Sequence, residues 1–117
     1  MIPPKEENLA QKIRDAADNI AAAEVALAKA EAEEKQCMAQ LMLTAQEQQG
    51  IKSAAGQTVW ADSQIEMMEA RLARGVAKGA LAAAKGHLSA AEADTRIWQT
   101  KMSMLKLEAR TYGYDGK

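Results

Sequence analysis

Phenylalanine does not occur in this chain, and cysteine and histidine occur once each, as Cys37 and His87. Each absence removes a class of structure or chemistry. With one cysteine there is no internal disulfide framework, and without a second thiol or imidazole a histidine- or thiolate-based metal site is excluded. Proline is confined to Pro3 and Pro4, so no later position breaks a helix by ring constraint. Aromatic residues make up 3% of the 117 residues, so a core must come from Ala, Leu, Ile and Met. A core of that kind is thin and favours a narrow bundle that gains stability by associating. The net charge of −1 gives no whole-molecule attraction to nucleic acid or anionic membrane. Uncharged stretches fall far short of the roughly 20 apolar residues that span a bilayer. Met1-Ile2-Pro3-Pro4-Lys5 lacks the apolar core of a signal peptide. These features lead to the expectation of a cytoplasmic protein without membrane contact.

What is present is helix-forming: Ala, Glu, Lys and Leu dominate. The first half carries an unbroken seam of residues spaced alternately by three and four. It runs Leu9, Ile13, Ala16, Ile20, Ala23, Leu27, Ala30, Glu34, Cys37, Leu41 and Thr44. The second half repeats the pattern in reverse through Trp60, Ser63, Met67, Ala70, Arg74, Ala77, Leu81, Ala84, Leu88 and Ala91. It continues through Thr95, Trp98, Met102, Leu105 and Ala109. Bulky and small residues alternate along both seams. Between them the polar run Gln46 to Gln49 leads into Gly50 and Gly56, the one credible turn. The spacing predicts a single helical-hairpin domain, with helix 1 over about 4–48, a turn over about 49–57 and helix 2 over about 58–112. Pro3 or Pro4 suits the first helical position, Ser53 or Thr58 the second N-cap, and Gly113 the final C-cap. The expected fold class is all-α: a long antiparallel helical hairpin, an alanine-rich coiled coil, dimerising into a four-helix bundle.

Charge sets the register. A turn centred near Ala54 pairs Leu27 with Leu81, Ile20 with Leu88 and Leu41 with Met67, and brings Glu34 to Arg74. Flanking positions then face Glu31 to Lys78, Glu24 to Lys85 and Lys12 to Asp94. A slip of one heptad opposes Arg74 to Leu27, or Glu34 to Leu81. An unpaired buried charge costs far more than a flanking pair contributes, so Glu34 and Arg74 are expected to pin the register.

Helix 2 carries a further apolar stripe away from its seam, interrupted by Glu69. The predicted oligomer interface on it comprises Ile65, Leu72, Val76, Gly79, Ala83, Gly86, Ala90, Ile97, Met104 and Leu107, with Ala93 and Thr100 in the same row. A helix apolar on two faces is covered on both, and helix 1 can cover one. Gly75, Gly79 and Gly86 cost helix stability, which points to close approach by a second backbone and hence a homodimer, with a different partner in the same groove as the alternative.

No residue constellation supports catalysis. Cys37 reads as a small seam residue opposite Ala70 rather than a reactive thiol, and His87 as a surface residue near Asn19. Glu31, Glu33 and Glu34 form a carboxylate cluster without a cleft, and the glycines match no phosphate loop. No cofactor, metal or catalytic residue is expected. The leading expectation is a non-enzymatic, homo-oligomeric scaffold, adaptor or inhibitor that binds another macromolecule, an unidentified protein first among them. Met38, Met42 and Met68 with Trp60 form a possible partner surface near the turn, where Met67 also lies. The alternative is a nucleic-acid accessory protein using Arg71, Arg96, Lys101, Lys106 and Arg110, although no aromatic residues interleave with the basic run to stack bases.

Overall fold

The computed structural model describes residues 4–115, with side chains from 8 to 111. All secondary structure among them is helical: α1 (Pro4–Glu47), α2 (Ala54–Asp62) and α3 (Ile65–Asp115). Pro4 opens α1, where its missing N–H leaves no bond unmade; Pro3 lies outside the described residues. The helix ends as the chain turns through Gly50, whose φ of +69° is the left-handed conformation that glycine adopts without steric penalty. The Ile51 N–H then donates back to the Ala45 carbonyl at 3.0 Å, closing the end of α1.

Ser53, extended at φ −82° and ψ 143°, is the N-cap of α2, and its hydroxyl accepts from the Gly56 N–H at 3.1 Å. The Gln57 carboxamide ties the turn further by donating to the Ile51 carbonyl at 2.9 Å. A Cβ at Gly56 would lie 2.8 Å from both Ile51 Cγ2 and the capping Ser53 Oγ, so a larger residue there must displace one or both side chains. The turn is therefore shorter than expected. Of the two candidate caps Ser53 is used, and helix resumes at Ala54 rather than near Thr58.

The expected second helix is also divided. At its break the Trp60 carbonyl accepts from the Ser63 hydroxyl at 2.6 Å, the Ser63 N–H at 3.1 Å and the Gln64 carboxamide at 3.0 Å. The Gln64 N–H takes the Ala61 carbonyl instead, at 3.1 Å, which tightens the last turn to an i→i+3 pattern. Beyond the break, Met67 and Met68 both donate to the Gln64 carbonyl and α3 begins. It then runs through Gly113 to Asp115, so Gly113 is helical and not the expected cap.

The chain packs as two compact units. One is the contiguous segment Ile20–Ala83; the other joins the N-terminal segment through Asn19 to the chain from Ala84 onward. Within the first unit α1 and α3 run antiparallel, joined by the turn and touching through Glu34 and Arg74. Within the second they are again antiparallel. Leu9 and Lys12 lie against Trp98 and Lys101, whereas Ala16 and Asn19 lie against His87 and Ala91.

The core of the first unit holds Ala30, Ala45, Ala61 and Met67; that of the second holds Leu9, Ala16, Ala84 and Ala91. The buried seam positions are mostly alanine, while the bulky seam residues Ile13, Leu27, Leu41 and Leu81 are half-buried. Two bulky seam residues are themselves buried, Leu9 at 6% exposure and Met67 at 1%.

Candidate functional site

Every residue of the first seam from Leu9 to Thr44 is at least partly shielded, Glu34 included. On α3, Arg74 Nε lies 3.0 Å from Glu34 Oε2. The Glu34 side chain is 17% exposed, while that of Arg74 is 49% exposed. Glu34 Oε2 is buried and receives no hydrogen bond, because the Arg74 N–H is not aimed at it. The contact is thus an ion pair held by charge and proximity.

A second ion pair, which the sequence reading missed, joins Arg71 to Asp62 across the break between α2 and α3. A separation of nine residues matches no spacing on a continuous helix; only the break brings the two together. Among the described residues these two pairs are the ion pairs present. The expected pairings of Glu31 with Lys78 and of Lys12 with Asp94 do not form within 4.0 Å. Lys12 and Asp94 instead line one shallow groove with Asn19 and His87. The seam also fades earlier than expected. Ser63 sits in the break, and Leu105 and Ala109, which the register places beyond the start of α1 at Pro4, are exposed.

Off its seam α3 exposes a row of apolar residues, of which Ala90 and Ile97 also line the grooves beside α1. All ten residues of the predicted interface are exposed: Ile65, Leu72, Val76, Gly79 and Ala83 in the first unit, Gly86, Ala90, Ile97, Met104 and Leu107 in the second. Leu72 is 69% exposed, Val76 66% and Leu107 63%. No atom outside the local helix lies within 4 Å of a Cβ built at Gly75, Gly79 or Gly86, so within one copy nothing requires glycine there. Near the C-terminal end of the stripe, Arg96, Gln99, Thr100, Ser103, Met104 and Leu107 line an open groove.

The methionine group near the turn separates by burial. Met67 belongs to the core, Met38, Met42 and Trp60 are half-buried, and Met68 is exposed. Trp60 joins Ile51, Ala55, Gly56 and Val59 around an open apolar groove, with Val59 71% exposed. The sequence pattern did not single out Val59, since it follows neither stripe. Cys37 is a free thiol, half-buried rather than fully enclosed. Among the basic residues, Arg71 is engaged by Asp62, while Arg96, Lys101, Lys106 and Arg110 are exposed.

Among the described residues no three His, Cys, Asp or Glu side chains gather as metal ligands, and no helix is long and apolar enough to cross a membrane. Comparison with protein-family models, curated proteins and solved structures gives no match.

Proposed function

We propose that this chain is a non-enzymatic interaction protein of the cytoplasm, an alanine-rich coiled-coil hairpin that self-associates through the outer face of α3. Its dimer, a four-helix bundle, would serve as a scaffold, adaptor or inhibitor for another protein. The supporting observation is the row of exposed large apolar residues on α3, from Ile65 through Leu72 and Val76 to Ile97, Met104 and Leu107. Apolar side chains repeated on one helix face are costly to leave in water, and association removes that cost. The partner-facing surface in this reading is the turn end, where Val59 and Trp60 line an apolar groove and Met68 is exposed.

Light scattering across a concentration series tests the association. The native chain is expected to be dimeric at micromolar concentration. Gly79→Glu with Ala83→Glu should make it monomeric while leaving its helical circular dichroism intact, because both positions are exposed. A native monomer at high concentration overturns the reading. A titration with DNA and RNA examines the nucleic-acid alternative: binding that weakens steeply with salt would replace the interaction-protein reading.

A further inference from the structure

We infer that α3 pairs with α3 of a second copy in antiparallel sense, about a two-fold axis level with the Ala84–Lys85 peptide, so that Glu66 and Glu69 of each copy reach the partner's Lys101. The inference rests on the self-association proposed above and specifies its geometry.

Glu69 is the one charged residue in the stripe, and it is exposed, as are Glu66 and Lys101. Whatever covers the stripe must answer that charge. A two-fold axis at Ala84–Lys85 sets Glu69 against the partner's Thr100 and brings the partner's Lys101 to a level midway between Glu66 and Glu69. Symmetry makes this arrangement twice. The same axis matches the stripe by size: Leu72 meets the partner's Ile97, Ile65 meets the partner's Met104, Gly79 meets the partner's Ala90, and Ala83 meets the partner's Gly86. Ile65 thereby enters the groove lined by Thr100, Met104 and Leu107. Large side chains meet at both ends while the small centre lets the backbones close, which gives the exposed glycines their reason.

The other arrangements are worse by the same criteria. A parallel pair sets Glu69 against the partner's Glu69 and Arg96 beside the partner's Lys101. Slipping the antiparallel pair by one heptad in one direction sets Glu69 beside the partner's Asp94 and leaves Met104 uncovered. Slipping it the other way buries Glu69 against the partner's Leu107, next to Glu108. Like charges in close apposition oppose association, and opposite charges at the edge of an apolar contact select its orientation. The Glu34–Arg74 contact inside the hairpin is the same device: a charge in an apolar seam met by its opposite.

Cysteine cross-linking reads the geometry directly. In a Cys37→Ser background, Leu72→Cys and Ile97→Cys variants are oxidised separately and as a mixture, with light scattering in parallel. Leu72 and Ile97 are exposed, so neither change disturbs the hairpin core. The mixture should form disulfide-linked dimers far more readily than either variant alone. Preferential self-linking of Leu72→Cys, or a dimer in which the mixture links no better than its parts, overturns the antiparallel register while leaving self-association standing. A monomer removes both. Charge exchange gives a second reading: Glu69→Lys should weaken dimerisation about tenfold, and adding Lys101→Glu should restore most of it. A double variant no better than the single one counts against the pairing.

Discussion

Two residues carry constraints that their neighbours do not share. Gly56 sits where a methyl group would press on both Ile51 and the Ser53 hydroxyl that caps α2. Gly56→Ala should therefore cost about 1 kcal/mol of stability, the worth of a disturbed N-cap, despite alanine's higher helix propensity. Chemical denaturation measures it, and a neutral or stabilising result would show that the turn relaxes freely. Glu34 is the other: its buried carboxylate oxygen lies 3.0 Å from a guanidinium nitrogen that does not donate to it. Charge reversal by Glu34→Lys should lower stability by roughly 1–2 kcal/mol, and Arg74→Glu in the same chain should recover at least half. Recovery would support the proposal that the pair fixes register; its absence would mean that the apolar seam sets the pairing unaided. Because Arg74 is half in water, the attraction itself is modest, and most of the loss comes from setting a shielded ammonium at position 34 beside the Arg74 guanidinium.

At the level of whole elements, the long helices were legible because burial follows their three-and-four spacing. Ala16, Ala30, Ala84 and Ala91 stand in the seam and are buried, and the outer stripe of α3 is exposed as its separate phase requires. The break at Ser63 and Gln64 was not legible. Neither residue is a helix breaker, and Ser63 fits the heptad. The interruption comes from two side chains competing for one carbonyl, a geometric event that periodicity does not encode. The Asp62–Arg71 ion pair was hidden for the same reason, since it exists only across the break. Flanking charges failed differently. Lys78 and Glu31 are long, exposed side chains that gain little by ordering, so facing positions alone did not ensure a contact. Replacing both Ser63 and Gln64 with alanine frees the Trp60 carbonyl for a continuous helix. Amide hydrogen exchange at residues 64–66 should then slow by about tenfold or more, as expected where fraying ends give way to helix interior. Unchanged exchange would place the cause of the break elsewhere.

For the whole molecule, the division into two units has a consequence for how the chain comes apart. One unit is a continuous segment closed by a short turn, whereas the other is assembled from segments separated by the 64 residues from Ile20 to Ala83. Closing the longer loop costs more entropy, so the second unit should be the first to open. The two tryptophans fall one to each: Trp60 in the first unit, Trp98 in the second, both half-buried. The chain thus contains a fluorescent reporter for each half. In single-tryptophan variants made by Trp60→Phe or Trp98→Phe, emission from Trp98 should shift at a urea concentration no higher than that from Trp60. The reverse order would show that the turn end is the weaker half. Coincident curves would mean that the pair of long helices melts as one cooperative body, and a gap between them would measure how far one end can loosen while the other stays folded.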